Sequence, residues 1–190
     1  MNDAGPSSSS QVRIFLATSL DGFIAGPGDD LSWLPEPDAG SVDSGYAEHM
    51  SKIGCLLFGR RTYDVVQTLG GWSYPPIPML VATRRPLETD NPHVRAVSGD
   101  IEDLIARARE AAQGKDVYLD GGHLIRQALD AGLVDHLIVT MIPIVLGEGI
   151  PLFAGCKMRH PLELQSHRQL DQGMVQLTYR PAGGADLGGP

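Results

Sequence analysis

Short apolar runs bounded by glycine, proline or polar residues recur along the chain, and this pattern predicts buried β-strands. The predicted strands are Val12–Ser19, Ile53–Phe58, Met79–Ala82, Val94–Val97, Val117–Leu119 and His136–Val145. Between the fourth and fifth runs the apolar period changes to i, i+3, i+4, i+7, in the residues Ile101, Leu104, Ile105 and Ala108. That period predicts a helix, with Asp100 as its N-cap.

Two further helices and a hairpin complete the pattern. Arg60–Leu69 is predicted to be helical, and a second helix opens at Gly121-Gly122 and ends at Gly132. Leu162–Leu170 and Met174–Arg180 are predicted to form a terminal hairpin across a glycine-containing turn. Strands that alternate with helices, followed by a C-terminal hairpin, predict an α/β fold. Its central mixed sheet is mostly parallel and flanked by helices, with an antiparallel finish.

Composition and charge narrow the class of protein. The chain has 190 residues, of which 42% are hydrophobic, and its formal net charge is -8. We therefore expect one globular domain over residues 12–181, between disordered tails at 1–11 and 182–190. No signal peptide or membrane-spanning run is evident, so a cytoplasmic protein with no membrane partner is expected. The acidic charge argues against nucleic-acid binding.

The cysteines and histidines do not indicate a disulfide scaffold or a metal site. Two cysteines, Cys55 and Cys156, exclude a disulfide scaffold and do not by themselves make a four-ligand zinc site. The histidines at 49, 93, 136, 160 and 167 show no ligand spacing. No metal site is predicted from the sequence.

Residues suited to phosphate binding follow three of the predicted strands. They are the segments Gly59-Arg60-Arg61-Thr62, Thr83-Arg84-Arg85 and Asp120-Gly121-Gly122-His123. Glycine admits a close backbone approach, free N–H groups at a helix start attract an anion, and arginine binds phosphate bidentately. These residues also have a purely structural interpretation. Gly121-Gly122 would form a tight turn, Arg60 and Arg61 would be solvated surface residues, and Thr62 would cap the helix. No GxGxxG fingerprint follows a strand.

Longer motifs match a known group of proteins. They are SLDGFIAG (Ser19–Gly26), Trp33, LLFGRRTY (Leu56–Tyr63), VATRR (Val81–Arg85), LDGGHLIRQAL (Leu119–Leu129) and PIVLGEGIPLF (Pro143–Phe153). In this order they resemble the dihydrofolate reductase superfamily, and most closely its riboflavin-biosynthesis reductase branch. The resemblance covers about residues 12–180. It implies a dihydrofolate reductase-like sheet of about eight strands, NADPH as cofactor, and a homodimer.

The resemblance also assigns roles to single residues. Ala17 and Ile24 would line the nicotinamide, and Asp21 and Glu148 are the candidate catalytic carboxylates. Phe23 and Trp33 would face a small-molecule substrate. The remaining cofactor residues would be Gly59, Arg60, Arg61 and Thr62 at one helix start, Thr83 and Arg84 at the adenosine 2′-phosphate, and Gly121, Gly122 and His123 at the pyrophosphate. The implied activity is NADPH-dependent reduction of a small heterocycle or carbonyl by hydride transfer.

Departures from the family leave the substrate and the activity open. No motif anchors Glu36, Asp38 or Asp43 as the acid of folate reductases, so folate reduction is not expected. The zinc-deaminase signature often fused to riboflavin reductases is absent from the sequence. Phe23 stands where those reductases commonly have a basic residue, which favours a more apolar substrate than a sugar phosphate. The alternative function is a non-catalytic NADP(H)-binding sensor or interaction protein of the same fold.

Overall fold

A computed structural model describes residues 10–35, 44–69 and 74–182. Within them the strands are β1 (Val12–Ser19), β2 (Phe23–Ala25), β3 (Ile53–Gly59), β4 (Met79–Ala82), β5 (Val94–Val97), β6 (Asp116–Asp120), β7 (His136–Ile142), β8 (Ile150–Pro151), β9 (Leu162–Gln169) and β10 (Val175–Pro181). The helices are α1 (Tyr46–Lys52), α2 (Arg60–Thr68), α3 (Ile101–Ala112) and α4 (Gly122–Asp130). Single 3-10 turns occupy Pro27–Asp29 and Asp171–Gly173.

Eight strands form one mixed sheet in the order β5-β4-β3-β6-β1-β7-β10-β9. The pairs from β5 to β7 are all parallel, and β10 runs antiparallel to both β7 and β9. This architecture confirms the predicted dihydrofolate reductase-like fold. β2 and β8 form a separate two-stranded sheet.

Helices cover both faces of the large sheet, and each face has its own apolar core. Val12 and Ile14 of β1 belong to the core that includes α3 and α4. The opposite face buries Phe58 and Tyr118 with Tyr63 of α2, and Met50 of α1 packs against them. Because β3 and β6 face helices on both sides, their residues form nearly continuous apolar runs, which is why sequence pattern alone detects them.

Most predicted elements are confirmed within a few residues, and the differences have local causes. The long β run predicted to reach Val145 ends at Ile142 because Pro143 has no N–H for the ladder. The last two residues of the predicted tail over residues 1–11 form hydrogen bonds with residues in or next to β6. The Gln11 N–H donates to Asp116 Oδ1 at 3.0 Å and the Ser10 hydroxyl donates to the Lys115 carbonyl at 2.5 Å. The rest of that tail lies outside the described residues.

Three elements, α1, β2 and β8, were not predicted. α1 has seven residues and begins after Gly45, which makes no side-chain cap, so it lacks the polar start signal of α3. β2 and β8 have three and two residues, too few to show an alternating pattern. Glu36, Asp38 and Asp43 lie outside the described residues. No helix in the described part of the chain is long and apolar enough to cross a membrane.

Candidate active site

Two helix starts meet at the carboxyl ends of β3 and β6, which are neighbours in the sheet. β3 runs directly into α2, and β6 leads through Gly121 into α4. α2 contributes to one core and α4 to the other, so the chain leaves the two strands toward opposite faces. This divergence opens a crevice at the strand ends, the usual place for a ligand in such sheets.

The contact between the two starts requires glycine. Gly121 has φ +112°, and a Cβ atom there would lie 2.9 Å from the Thr62 hydroxyl oxygen and 3.2 Å from the Gly59 nitrogen. A Cβ on Gly122 would lie 3.0 Å from Ile24 Cδ1. Any larger residue at 121 must therefore push the α2 and α4 starts apart. The plain interpretation of Gly121-Gly122 as a tight turn is correct, and the turn also brings two sets of free helix N–H groups together.

A cavity of about 620 Å³ opens above this contact. Nine of the predicted cofactor residues line it: Ala17, Ile24, Gly59, Arg60, Arg61, Thr62, Gly121, Gly122 and His123. Four strand ends thus converge on one space, since Ala82 at the end of β4 also lines it. Thr83 and Arg84 follow Ala82 directly but do not line the cavity themselves.

The arginines around the cavity differ in what already binds them. Arg60 donates to Asp64 at 2.7 Å and to the Pro86 carbonyl at 2.8 Å. Arg61 donates to Asp29 at 2.6 Å, and Arg85 lies 3.4 Å from Asp64. Among these described arginines, Arg84 alone makes no ion pair. It is exposed and is the cation most available to a bound phosphate.

Asp120 is the last residue of β6, and no catalytic role is predicted for it from the sequence. It lines the cavity and accepts a hydrogen bond from the Gly121 N–H at 2.6 Å. Burial raises the pKa of Asp120 to about 6, against the opposing effects of the Gly121 N–H and the Tyr118 hydroxyl. The sequence does show an acidic residue between a short apolar run and a Gly-Gly pair, but this local pattern does not encode the raised pKa.

Three tyrosines surround this carboxyl. The Tyr118 hydroxyl donates to the Phe15 carbonyl at 2.7 Å, which fixes its ring beside Asp120. Burial, and then the charge of Asp120, raises the pKa of Tyr46 to about 12 and that of Tyr74 further. The tyrosines therefore stay protonated near neutral pH, and no cation among the described residues lowers the pKa of Asp120. The floor of the cavity can hold a proton on Asp120 at physiological pH.

The two carboxylates predicted to be catalytic lie elsewhere. Asp21 accepts from the Leu146 N–H at 3.1 Å and the Gly147 N–H at 2.7 Å. With the Ser19 hydroxyl as the largest cause, these bonds lower the pKa of Asp21 to about 2. Glu148 is exposed in the turn that Asp21 holds. Neither lines the cavity, so their catalytic role stays a prediction that this geometry does not favour.

The loop after β2 forms one wall of the cavity, with different residues from those predicted. Leu31 and Leu34 line the cavity, whereas Phe23 and Trp33 do not. Phe23 lies opposite Pro151 in the small sheet. The Trp33 indole donates to the Asp30 carbonyl at 3.0 Å, and this hydrogen bond lies within the loop. The substrate contact predicted for Phe23 and Trp33 therefore has no support in this arrangement.

Comparison with known proteins places this geometry in a family. A model of the RibD C-terminal domain matches residues 72–176, more than half of the chain. The chain belongs to the RibD C-terminal domain family. Protein YwjB of Bacillus subtilis is 32% identical over 168 residues, covering 87% of this chain and 95% of YwjB.

Solved structures agree with this membership. A protein of Shewanella sp. PV-4 named for riboflavin biosynthesis has a TM-score of 0.80 and 31% identity, over 90% of this chain and 99% of that one. Dihydrofolate reductase from Enterococcus faecalis, solved with NADP(H), has a TM-score of 0.61 and 18% identity, over 91% of this chain and 97% of that one. The second likeness shows the fold alone. Together these matches confirm the predicted resemblance.

Proposed function

We propose that the protein is an NADPH-dependent reductase that transfers hydride to a small, unphosphorylated heterocycle and protonates it from Asp120. The observation that carries the proposal is the single cavity that joins two helix starts to one half-buried carboxyl of raised pKa. Perturbed carboxyls in clefts are typical of acid–base sites. The two halves of the cavity supply the two needs of such a reaction, a cofactor cradle and a proton.

The cradle fits a dinucleotide phosphate. α2 and α4 each have nine residues and begin beside each other, so their free N–H groups point into one space. Glycine at 121 and 122 lets the two helix starts approach closely, because a Cβ there would lie 2.9 Å from Thr62 or 3.0 Å from Ile24. Arg84, without an ion pair, is the residue that would bind a 2′-phosphate, which favours NADPH over NADH. When bound, NADPH supplies the hydride.

Asp120 then supplies the proton. A carboxyl with a pKa of about 6 keeps roughly a tenth of its molecules protonated at pH 7, against about one in a thousand for an ordinary aspartate. Its proton would pass to the nitrogen or oxygen of the double bond that receives the hydride, and the carboxylate would regain a proton from solvent. A general acid is most effective when its pKa lies near the working pH.

The lining of the cavity supports a flat, apolar substrate. Leu31 and Leu34 face it from the loop, and Val65, Val66 and Leu69 face it from α2 and its C-terminal end. Arg61, which also lines the cavity, forms an ion pair with Asp29. A substrate phosphate would have no free cation among the described residues of this wall. An aromatic ring with a polarised C=N or C=O bond directed at Asp120 fits better.

The test is steady-state oxidation of NADPH, followed by absorbance, with a panel of pterins, aminopyrimidines and activated carbonyls. We expect turnover on at least one ring substrate, faster with NADPH than with NADH, and a kcat that falls as the pH rises above about 6. Tight NADPH binding with no oxidation on any substrate would contradict the reductase and support the non-catalytic binder of the same fold.

A further inference from the structure

We propose that Asp130, Cys156 and His160 form a binding site for a divalent transition-metal ion, with Zn²⁺ as the best match. One ligand atom from each residue lies within 4.8 Å of the other two. The side chains of Asp130 and His160 are only 15% and 18% exposed, and Cys156 is half-buried. The three residues form the only such group of histidine, cysteine and acidic side chains found in the part of the chain that the structure describes.

Two elements bring the three residues together. Asp130 is the last residue of α4, and Cys156 and His160 lie on the segment between β8 and β9. The Lys157 N–H donates to both Asp130 carboxylate oxygens, at 3.0 and 3.1 Å. The His160 Nε2 lies 2.9 Å from Asp130 Oδ1. The Lys157 N–H and the His160 ring therefore orient the carboxylate in the absence of an ion. Hydrogen-bond partners orient metal ligands in the same way in protein metal sites.

An ion pair alone accounts for part of this cluster. Asp130 and His160 would attract each other without a third group, and the Lys157 N–H would still cap the carboxylate. That interpretation gives no role to the Cys156 thiol, whose sulfur lies within 4.8 Å of a ligand atom of Asp130 and of His160. Carboxylate, thiolate and imidazole together are a donor set that Zn²⁺ accepts.

Geometry and charge both suit a dication. Tetrahedral Zn²⁺ with Zn–S of about 2.3 Å and Zn–N of about 2.0 Å places these ligand atoms roughly 3.3 to 3.6 Å apart. His160 Nε2 and Asp130 Oδ1, now 2.9 Å apart, need to move slightly apart to bind one ion. The Cys156 Sγ atom, within 4.8 Å of the other two ligand atoms, needs to move closer to them. Coordination releases the thiol proton to solvent, and the carboxylate and thiolate then carry two negative charges against the two positive charges of the ion. The fourth position is left to water.

An ion at this site would tie α4 to the segment after β8. Arg126, one turn before Asp130, already donates to the Pro151 and Leu152 carbonyls at 3.1 and 3.0 Å. Arg126 also lines the candidate active site. Metal binding would therefore stabilise one side of that cavity without contacting anything bound in it, and we expect it to raise the melting temperature.

The experiment is a titration of the tag-free, chelator-treated protein with Co²⁺ and with Zn²⁺ alone. We expect one Co²⁺ per chain with a thiolate-to-metal charge-transfer band, displaced by Zn²⁺, and a higher melting temperature with Zn²⁺. Cys156→Ser should remove the band, and His160→Ala should weaken binding about 10-fold or more. His167→Ala, at an exposed histidine on β9, is the matched control and should leave both unchanged.

Asp130→Asn provides a second variant if Cys156→Ser does not fold, because the amide oxygen can still accept from Lys157. It should keep the fold and lose about 10-fold or more in affinity. A stoichiometric band that survives Cys156→Ser would overturn the proposal, as would the absence of a band in wild type. So would equal weakening by His160→Ala and His167→Ala. None of these outcomes depends on whether the protein reduces anything.

Discussion

The Thr62 hydroxyl oxygen lies 2.9 Å from the position that a Cβ atom would take on Gly121. This contact joins the first turn of α2 to the start of α4, although the two residues are far apart in the sequence. It determines how closely the two sets of helix N–H groups approach each other. The width of the proposed phosphate cradle therefore depends on the absence of a side chain at one residue.

Arg84→Ala tests the assignment of the 2′-phosphate. We expect the Kd for NADPH to rise about 10-fold or more and the Kd for NADH to change by less than about 2-fold, because a charge-assisted bond to phosphate is lost only in NADPH. Fluorescence titration with each coenzyme measures both. Arg85→Ala is the control, since Arg85 lies beside Asp64. Equal losses for the two coenzymes would remove Arg84 from this role.

Asp120→Asn tests the source of the proton. We expect kcat to fall about 100-fold or more while the Kd for NADPH stays within about 2-fold, because an amide keeps the shape but cannot donate an acidic proton. The decline of kcat above pH 6 in wild type should disappear in the variant. Glu148→Gln is the control and should keep both kcat and the pH profile. A variant that retains the wild-type pH profile would show that another group supplies the proton.

The same substitution has a separate effect on stability. The pKa of Asp120 is about 6 in the native state, against 3.8 for an aspartate free in water, so protonation favours the native state. That contribution is full below pH about 4 and is lost as the pH rises through about 6, at a cost of about 3 kcal/mol. We expect Asp120→Asn to unfold at higher urea concentration than wild type at pH 7.5. The difference should shrink at pH 4.5, and a difference independent of pH would refute this origin.

Asp21→Asn tests whether Asp21 stabilises the turn at Leu146 and Gly147 or takes part in catalysis. The Asp21 carboxylate accepts the Leu146 and Gly147 N–H groups, and its pKa of about 2 shows that the native state favours the charged form. Its contribution to stability is present above pH about 4 and is lost as the pH falls through about 2. We expect a lower melting temperature at pH 7 with kcat unchanged within about 2-fold. A large fall in kcat with an unchanged melting temperature would instead support the catalytic role.

The strand ends of the site could be predicted from the sequence because their signals are local. Gly59 ends the apolar run of β3 and Asp120 ends that of β6, and Thr83-Arg84 directly follows the run of β4. Parallel strands then bring these interruptions to one edge. Nine of the predicted cofactor residues line one cavity for this reason.

The chemical centre could not be predicted in the same way, because it depends on distances between remote residues. Asp120 gains its raised pKa from burial beside Tyr118 and near Tyr46 and Tyr74, and no local pattern encodes that environment. Asp21 stands in a motif that suggests catalysis, yet its carboxylate is bound by amides more than a hundred residues along the chain. The Asp130–Cys156–His160 group was missed because one ligand lies on a different element from the other two, far from them in the sequence.

Calorimetric titration of NADPH into wild type, Gly121→Ala and Gly132→Ala tests the central claim most directly. Gly132 also has a positive φ, but a Cβ there meets nothing within 4 Å, so its variant carries backbone strain without pushing the α2 and α4 starts apart. We predict one NADPH per chain in wild type and in Gly132→Ala, and a loss of about 10-fold or more in Gly121→Ala. Wild-type protein that binds no NADPH, or equal affinity in all three proteins, would contradict the account.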